Sequence, residues 1–382
     1  MTDILPNHEL VPDYQFSQIG YRTRPVLDRQ GKAVEGLHQI WISLENEKQL
    51  NSYTTAAVKE LILAFRRASC DRRCVAVVLT GAGTRAFCTG GNTEEYTRHY
   101  AGRPAEYLQY MRLFNDLVTS ILVCDKPVIC RVNGLRIGGG QEIGMACDFS
   151  VAGDHAAFGQ AGPVHGSAPD GGSTDFLHLY VGYGHAAESL VLCEQWPAHK
   201  ALRLGLINDL APVYKESSGT FITNPLVTTD RLADELGRPA LGEWKSGAAR
   251  EAAQAQIARC QIDFAELDQA VDRLATKLLY LFPDCTRKTL ESLRKKKLEH
   301  WNQNSETSRS WLSLNMNTEA SAGFPAFQYG ERPEREIDFV LLRKRIAEGR
   351  PFDHDLVAEV LPAKARERWL AAQAAERGAR HG

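Results

Sequence analysis

Three consecutive glycines, Gly138-Gly139-Gly140, stand just ahead of a carboxylate, Glu142. They follow a β-rich run over 127–132 that ends at Asn133-Gly134, and they open a short apolar segment of helical pattern. Glycines at such a junction let a ligand approach the backbone and leave amide N–H groups unscreened by Cβ atoms. Those N–H groups sit at a helix N-terminus, where the backbone dipole favours developing negative charge. A carboxylate in the first helical turn lies beside any anion held there. The pattern therefore predicts an oxyanion site with an acid/base attached. A second small-residue run, Cys88-Thr89-Gly90-Gly91, again exposes backbone amides.

The elements that must position these groups alternate in type. Residues 37–44 (LHQIWISL) read as a strand. An amphipathic helix follows over about 55–68, with Val58, Leu61, Ile62 and Phe65 at 3-4 spacing. Residues 75–79 form a continuous apolar strand closed by Gly81-Ala82-Gly83. A long helix is expected over 104–123, its aromatics serving as core or pocket lining. Short strands are expected near 149–152 and 157–158, and helices near 174–181, 186–194 and 198–204. Between them runs a Gly/Pro-rich loop, 159–174, of the length usually given to function or motion. Strand–helix alternation implies an α/β class with repeated units. Residues 1–36 are mixed and turn-rich, with Pro6, Pro12 and Pro25, and read as an N-terminal arm. The core spans 37–211, residues 212–250 read as a surface insertion, and 251–382 as a helical C-terminal region. Within the latter, the basic run 294–297 is expected on a solvated helix face.

The chain has 382 residues, room for one large core or two domains, and a net charge of -2. That balance creates no general pull toward nucleic acid or anionic membrane. No apolar run is long enough to span a bilayer, and the first residues lack a signal pattern. Nine cysteines, an odd number without paired C-x-x-C spacing and mostly in apolar runs, read as buried free thiols in a reducing cytoplasm. No metal or nucleotide redox cofactor is implied: there is no G-x-G-x-x-G after a strand and no His pair flanking a Glu.

Three motifs stand in order: AFCTGG (86–91), NGLRIGGGQE (133–142) and AAFGQAGP (156–163). Together they resemble the crotonase, or enoyl-CoA hydratase, superfamily from about residue 36 onward. The resemblance implies a spiral of ββα units with C-terminal helices used in trimer assembly, as a homotrimer or homohexamer. It also implies an acyl-CoA thioester substrate whose enolate is held by two backbone N–H groups. Matched by motif, those donors are Gly91 and Gly139, and Glu142 falls on the first catalytic glutamate of the hydratases. Preorganised donors suit an enolate that has no metal to carry its charge; losing one costs about 2.7–4 kcal/mol.

The second hydratase glutamate, expected two residues after Gln160, is Gly162 here. The loop GQAGPVHGSAPDGG is instead similar to that of naphthoyl-CoA synthase, which closes a ring by Claisen condensation. Asp170 falls on that enzyme's aspartate, whereas Glu142 has no counterpart there. A chain carrying both is expected to do both kinds of chemistry. Taken whole, with its N-terminal arm and long C-terminal half, the sequence resembles the 6-oxocyclohex-1-ene-1-carbonyl-CoA hydrolase family of anaerobic benzoyl-CoA degradation. That resemblance implies hydration of a ring double bond, then hydrolytic ring opening to 3-hydroxypimeloyl-CoA. A naphthoyl-CoA-synthase-like ring-forming enzyme and a plain enoyl-CoA hydratase are the enzymatic alternatives, and an RNA-binding relative the non-enzymatic one. Asp170 is then the candidate for the second water or for protonating carbon, and His165 could orient water. Tyr96 and Tyr100 are candidates for the acyl pocket. The CoA phosphate lysine of many hydratases is Glu94 here, leaving Arg85, Arg98 or the run 343–345 to substitute. CoA is part of the substrate, and no separate cofactor is expected.

Overall fold

Apolar strands without alternation need cover on both faces, and the chain supplies it by inserting a helix after each pair of strands. The computed structural model describes residues 5 and 7–379. Residues 1–4 and 6 of the expected arm, with Pro6, and the C-terminal residues 380–382 lie outside the described residues. Strands β1 (Ile19–Leu27) and β2 (Ala33–Leu44) form an antiparallel pair with Tyr21 opposite Ile42. Helix α1 (Thr55–Cys70) follows, capped by the Thr54 hydroxyl accepting from Ala57 N–H.

From there the same unit recurs. β3 (Cys74–Gly81) and β4 (Ala86–Cys88) precede the short α2 (Thr93–Glu95) and the long α3 (Pro104–Leu122). β5 (Val128–Val132) and β6 (Leu135–Ile137) precede α4 (Gly139–Ala146). β7 (Phe149–Gly153) and β8 (Ala157–Gly159) precede α5 (Ser173–Val191), which breaks at Gly182 (φ 76°, ψ 165°), between the two helices expected there. Both strands of the first pair lie in one sheet. In the later pairs the first strand joins that six-stranded sheet, ordered β1-β2-β3-β5-β7 and then β10 (Asp209–Ala211), and the second joins a four-stranded sheet, ordered β4-β6-β8 and then β9 (Trp196–Pro197). This is the expected ββα spiral. It closes with β9 (Trp196–Pro197), α6 (Ala198–Arg203) and β10 (Asp209–Ala211).

Strand alternation sorts the large sheet's side chains between two cores. Val77 and Leu79 face the main core with Val58, Leu61, Phe114 and Leu117, while Ala76 and Val78 face the opposite side. That second face is covered by Leu267, Val271 and Leu278.

Three expectations need correction. The 36 N-terminal residues are more than an arm, since they supply the edge strand β1 and the first residues of β2; a strand that reads poorly alone is completed by its partner. The excursion after 211 does not end at 250. β11 (Tyr214–Lys215) pairs with β12 (Phe221–Ile222) and, beyond α7 (Gly247–Ile257), with β13 (Gln261–Ile262). Asp154 anchors its base, accepting from Val213 N–H at 3.2 Å and Asn224 N–H at 2.7 Å, and burial pushes that carboxyl up to about 7.

The third concerns the basic run. After α8 (Ala265–Leu279), whose apolar stripe covers the sheet, α9 (Pro283–Asn315) runs against α3. Arg294 and Lys297, three apart on one helix face, point inward. Arg294 makes a paired contact with Asp148 at 2.7 and 2.5 Å, both side chains 4% exposed. Lys297 Nζ donates to the carbonyls of Met145 and Cys147, at 2.8 and 3.0 Å. Only Lys295 and Lys296 are solvated as expected. Helices α10 (Glu319–Tyr329), α11 (Phe339–Ala347), α12 (His354–Val360) and α13 (Ala363–Ala379) enclose a small separate core around Leu356, Val357 and Trp369. The cysteines are free thiols; five are buried, but Cys70, Cys193 and Cys260 are half-buried and Cys285 is exposed. No helix among the described residues is long and apolar enough to cross a membrane.

Candidate active site

β4 and β6 are neighbours, with Ala86 opposite Leu135, so their glycine-rich exits emerge side by side. Gly138 caps α4 at φ 58° and ψ -130°, a backbone conformation only glycine adopts readily. The two exits pack tightly: a Cβ on Gly140 would overlap the Cys88 carbonyl. Gly139 is the first residue of α4, and its N–H has no intrahelical acceptor. Gly91 bridges to Tyr53, but those bonds run through Gly90 C=O and Asn92 N–H, leaving its own N–H unused. Neither amide meets a protein acceptor among the described residues. Both glycines line one cavity of about 120 Å3 together with Glu142.

Glu142 sits in the first turn of α4 and is 6% exposed. Its Oε1 accepts from Gly171 N–H at 2.9 Å. Burial pushes this carboxyl up to about 8; the Gly171 N–H opposes the shift and the nearby charge of Asp170 adds to it. A carboxyl titrating there can both accept and return a proton at working pH. The far end of α4 is held by Lys297 on the Met145 carbonyl, a cation at the negative end of the helix dipole. Acid/base and amides thus share one rigid element.

The loop over 159–174 is tied down on several sides. Gln160 Nε2 donates to Gly138 C=O at 3.2 Å and to Ser173 Oγ at 2.5 Å, linking the cap of α4 to the start of α5. Asn315 Nδ2 donates to Gly166 C=O at 2.6 Å. Gly162 lies at the cavity wall, where a Cβ would come 3.0 Å from the Ser167 carbonyl, so the turn leaves little room for a second glutamate. Asp170 stands at the margin. Its neighbours Pro169 and Gly171 line the cavity, while its own carboxylate accepts from Thr174 Oγ1 at 2.9 Å. Burial raises this carboxyl as well. His165 also lines the cavity, edge-on to Phe327, and burial lowers its imidazole to about 4, so it is neutral.

Tyr96 reaches the cavity, but Tyr100 does not; its hydroxyl bonds to Thr55 Oγ1 at 2.6 Å. Sequence reasoning missed Tyr53, Leu312 and Phe324, which line the cavity too. The last two come from α9 and α10 and carry no local signal for such a role. Of the candidate phosphate ligands, Arg345 is paired with Glu348 and Glu359, whereas Arg85 and Arg98 are exposed.

Residues 36–221 match the enoyl-CoA hydratase/isomerase family profile. The chain is 57% identical over 345 residues to a 6-oxocyclohex-1-ene-1-carbonyl-CoA hydrolase of Geobacter metallireducens, covering 90% of each chain. A protein of the same name from Thauera aromatica is 54% identical over 359 residues, covering 94% of this chain and 95% of that one. Among solved structures, an enoyl-CoA hydratase from Bacillus halodurans superposes with a TM-score of 0.60 at 18% identity, covering 81% of this chain and all of that one. One from Mycobacterium avium subsp. paratuberculosis gives 0.58 at 20% identity, covering 82% and 96%. These structures share the fold, and the relatives share sequence over nine-tenths or more of the chain. By that kinship, and not by its glycine motifs alone, the chain belongs to the enoyl-CoA hydratase/isomerase, or crotonase, family.

Proposed function

We propose that the protein is a ring-opening hydrolase. It adds water to 6-oxocyclohex-1-ene-1-carbonyl-CoA, then cleaves the ring C–C bond to give 3-hydroxypimeloyl-CoA. The observation that carries the chemistry is a single buried carboxyl, Glu142, beside two unpaired amides in one cavity, with Gly162 in place of a second glutamate. The relatives' shared name supplies the substrate.

Each step has a place in this geometry. As carboxylate, Glu142 takes a proton from water as its oxygen adds to the carbon β to the thioester. The Gly91 and Gly139 N–H groups hold the enolate oxygen that results. Water then attacks the ring ketone, also β to the thioester carbonyl. Collapse expels the α-carbon as the same thioester enolate onto the same amides, so one oxyanion site serves both steps. Asp170 takes the proton of the second water or returns a proton to the α-carbon. The Thr174 bond orients it, and its position beside Gly171 brings it to the edge of the cavity. The enzyme works in the cytoplasm as a homotrimer or homohexamer, in keeping with its family; light scattering checks the assembly.

Incubation with the cyclic enone-CoA and mass spectrometry tests the reading. Uptake of two waters is expected. One water would mean hydration alone, and none would overturn both steps.

A further inference from the structure

The proposed ring opening makes two different oxygens negative, and the amide pair can hold only one of them. While the thioester oxygen rests on Gly91 and Gly139, water attack turns the ring-ketone oxygen into an alkoxide. Both carbonyls are attached to the same α-carbon, so this second oxygen must lie in the same cavity, beside the first.

Two phenols stand over the two glycines. A Cβ on Gly139 would overlap the hydroxyl of Tyr53, and a Cβ on Gly91 would overlap the hydroxyl of Tyr96. Both tyrosines line the cavity. Glycine is required at these positions for the phenols as much as for the ligand. Tyr53 is 3% exposed, and its ring stacks on Phe114 with centroids 5.5 Å apart and planes at 18°. Its hydroxyl has no protein partner among the described residues. The Tyr96 and Tyr110 hydroxyls lie 2.7 Å apart. The Tyr96 hydroxyl also meets that of Tyr107; with Tyr107 and Tyr110 both donating to its oxygen, the O–H of Tyr96 remains for a ligand. A hydroxyl that faces a cavity without a protein partner is free to donate to what enters it.

We propose that Tyr53 and Tyr96 form a second oxyanion site, donating O–H···O bonds to the ring-ketone oxygen as water adds to it. The proposal rests on the ring-opening reading above. In this step the water oxygen bonds to the ketone carbon, its proton passes to a carboxylate, and the carbonyl π pair moves onto the ketone oxygen. Collapse re-forms that C=O and breaks its bond to the α-carbon. The released pair enters the thioester enolate, and a carboxyl then protonates the α-carbon. The phenols give up no proton: burial holds Tyr53 and Tyr96 well above the ordinary phenol value, so they remain donors throughout. The same donors meet the ketone oxygen during hydration, where the carbanion is shared by two carbonyls. Ring opening puts the whole charge on that oxygen and depends on them more.

The test uses Tyr53→Phe and Tyr96→Phe, which keep the rings and remove the hydroxyls. Each is expected to slow ring opening on the order of 10²-fold and hydration much less, so that the one-water cyclic product accumulates. Calorimetry with cyclohexanecarbonyl-CoA, which has no ring ketone, should give an unchanged Kd. Variants that open the ring at the wild-type rate would overturn the proposal. So would equal losses in both steps, or lost binding of the ketone-free thioester, either of which would make the tyrosines packing residues. Failure of the ring-opening reading would show separately, as a wild-type enzyme that takes up fewer than two waters.

Discussion

Glu142 lies in the first turn of α4, 6% exposed, its carboxyl facing a cavity and held by the N–H of Gly171. Asp170, one residue before that donor, is half-buried on a loop and accepts its bond from Thr174 within the same segment. No cation among the described residues is bonded to either. Burial raises both, but only Glu142, on the more rigid and drier element, is driven up to about 8. Environment thus separates two carboxyls of one site, the first bonded to the residue that follows the second, which is how one site assigns different proton tasks at one pH. The helix residue is preorganised by its backbone, whereas the loop residue is oriented by a neighbouring side chain, Thr174.

The sharpest way to break this comparison is Glu142→Gln. Hydration should fall about 10²- to 10⁴-fold while CoA-ester binding survives, because Gln can still accept from Gly171 N–H. Unchanged turnover would remove Glu142 from the mechanism. Asp170→Asn should cost less, roughly 10- to 100-fold, and should fall on ring opening, so that a one-water product builds up in the mass spectrum. Full ring opening in that variant would reduce Asp170 to a turn residue bonded to Thr174.

The smallest effects are in pH and stability. Activity that needs Glu142 as carboxylate should rise as pH passes about 8, and a pH–rate profile should lose that limb in Glu142→Gln. Folding raises this carboxyl from its ordinary 4.5, so the folded chain keeps a proton that the unfolded chain loses above 4.5. Stability should therefore decline as pH rises from about 4.5 to about 8. Glu142→Gln should then stabilise the fold by on the order of 1–3 kcal/mol at pH 8 or above, and by nothing below 4.5. Thermal unfolding across that range measures it; a pH-independent difference would mean the carboxyl is not strained by burial.

Much of the site was legible because its signals are local. A glycine run closing a strand, a carboxylate one helical turn on, and 3-4 spacing in α1 and α3 are short-range consequences of backbone geometry. The basic run misled because charge alone does not say which helix face meets the body. Arg294 finds Asp148, and Lys297 finds two carbonyls, only once α9 has docked. β1 was read as an arm because an edge strand without clear alternation becomes a strand through its partner, here β2.

The sequence by itself determined the alternation of strands and helices, the two amide-bearing junctions and the helix position of Glu142, all set by steric and hydrogen-bonding rules acting over a few residues, while the ββα form of the repeat was implied by the family resemblance. Tertiary structure decided that Tyr53 and Tyr96 stand over the two glycines, that Leu312 and Phe324 help close the cavity, and that Glu142 is dry enough to titrate near 8. Burial and approach across distant segments depend on which surfaces pack together, and no local spacing encodes that.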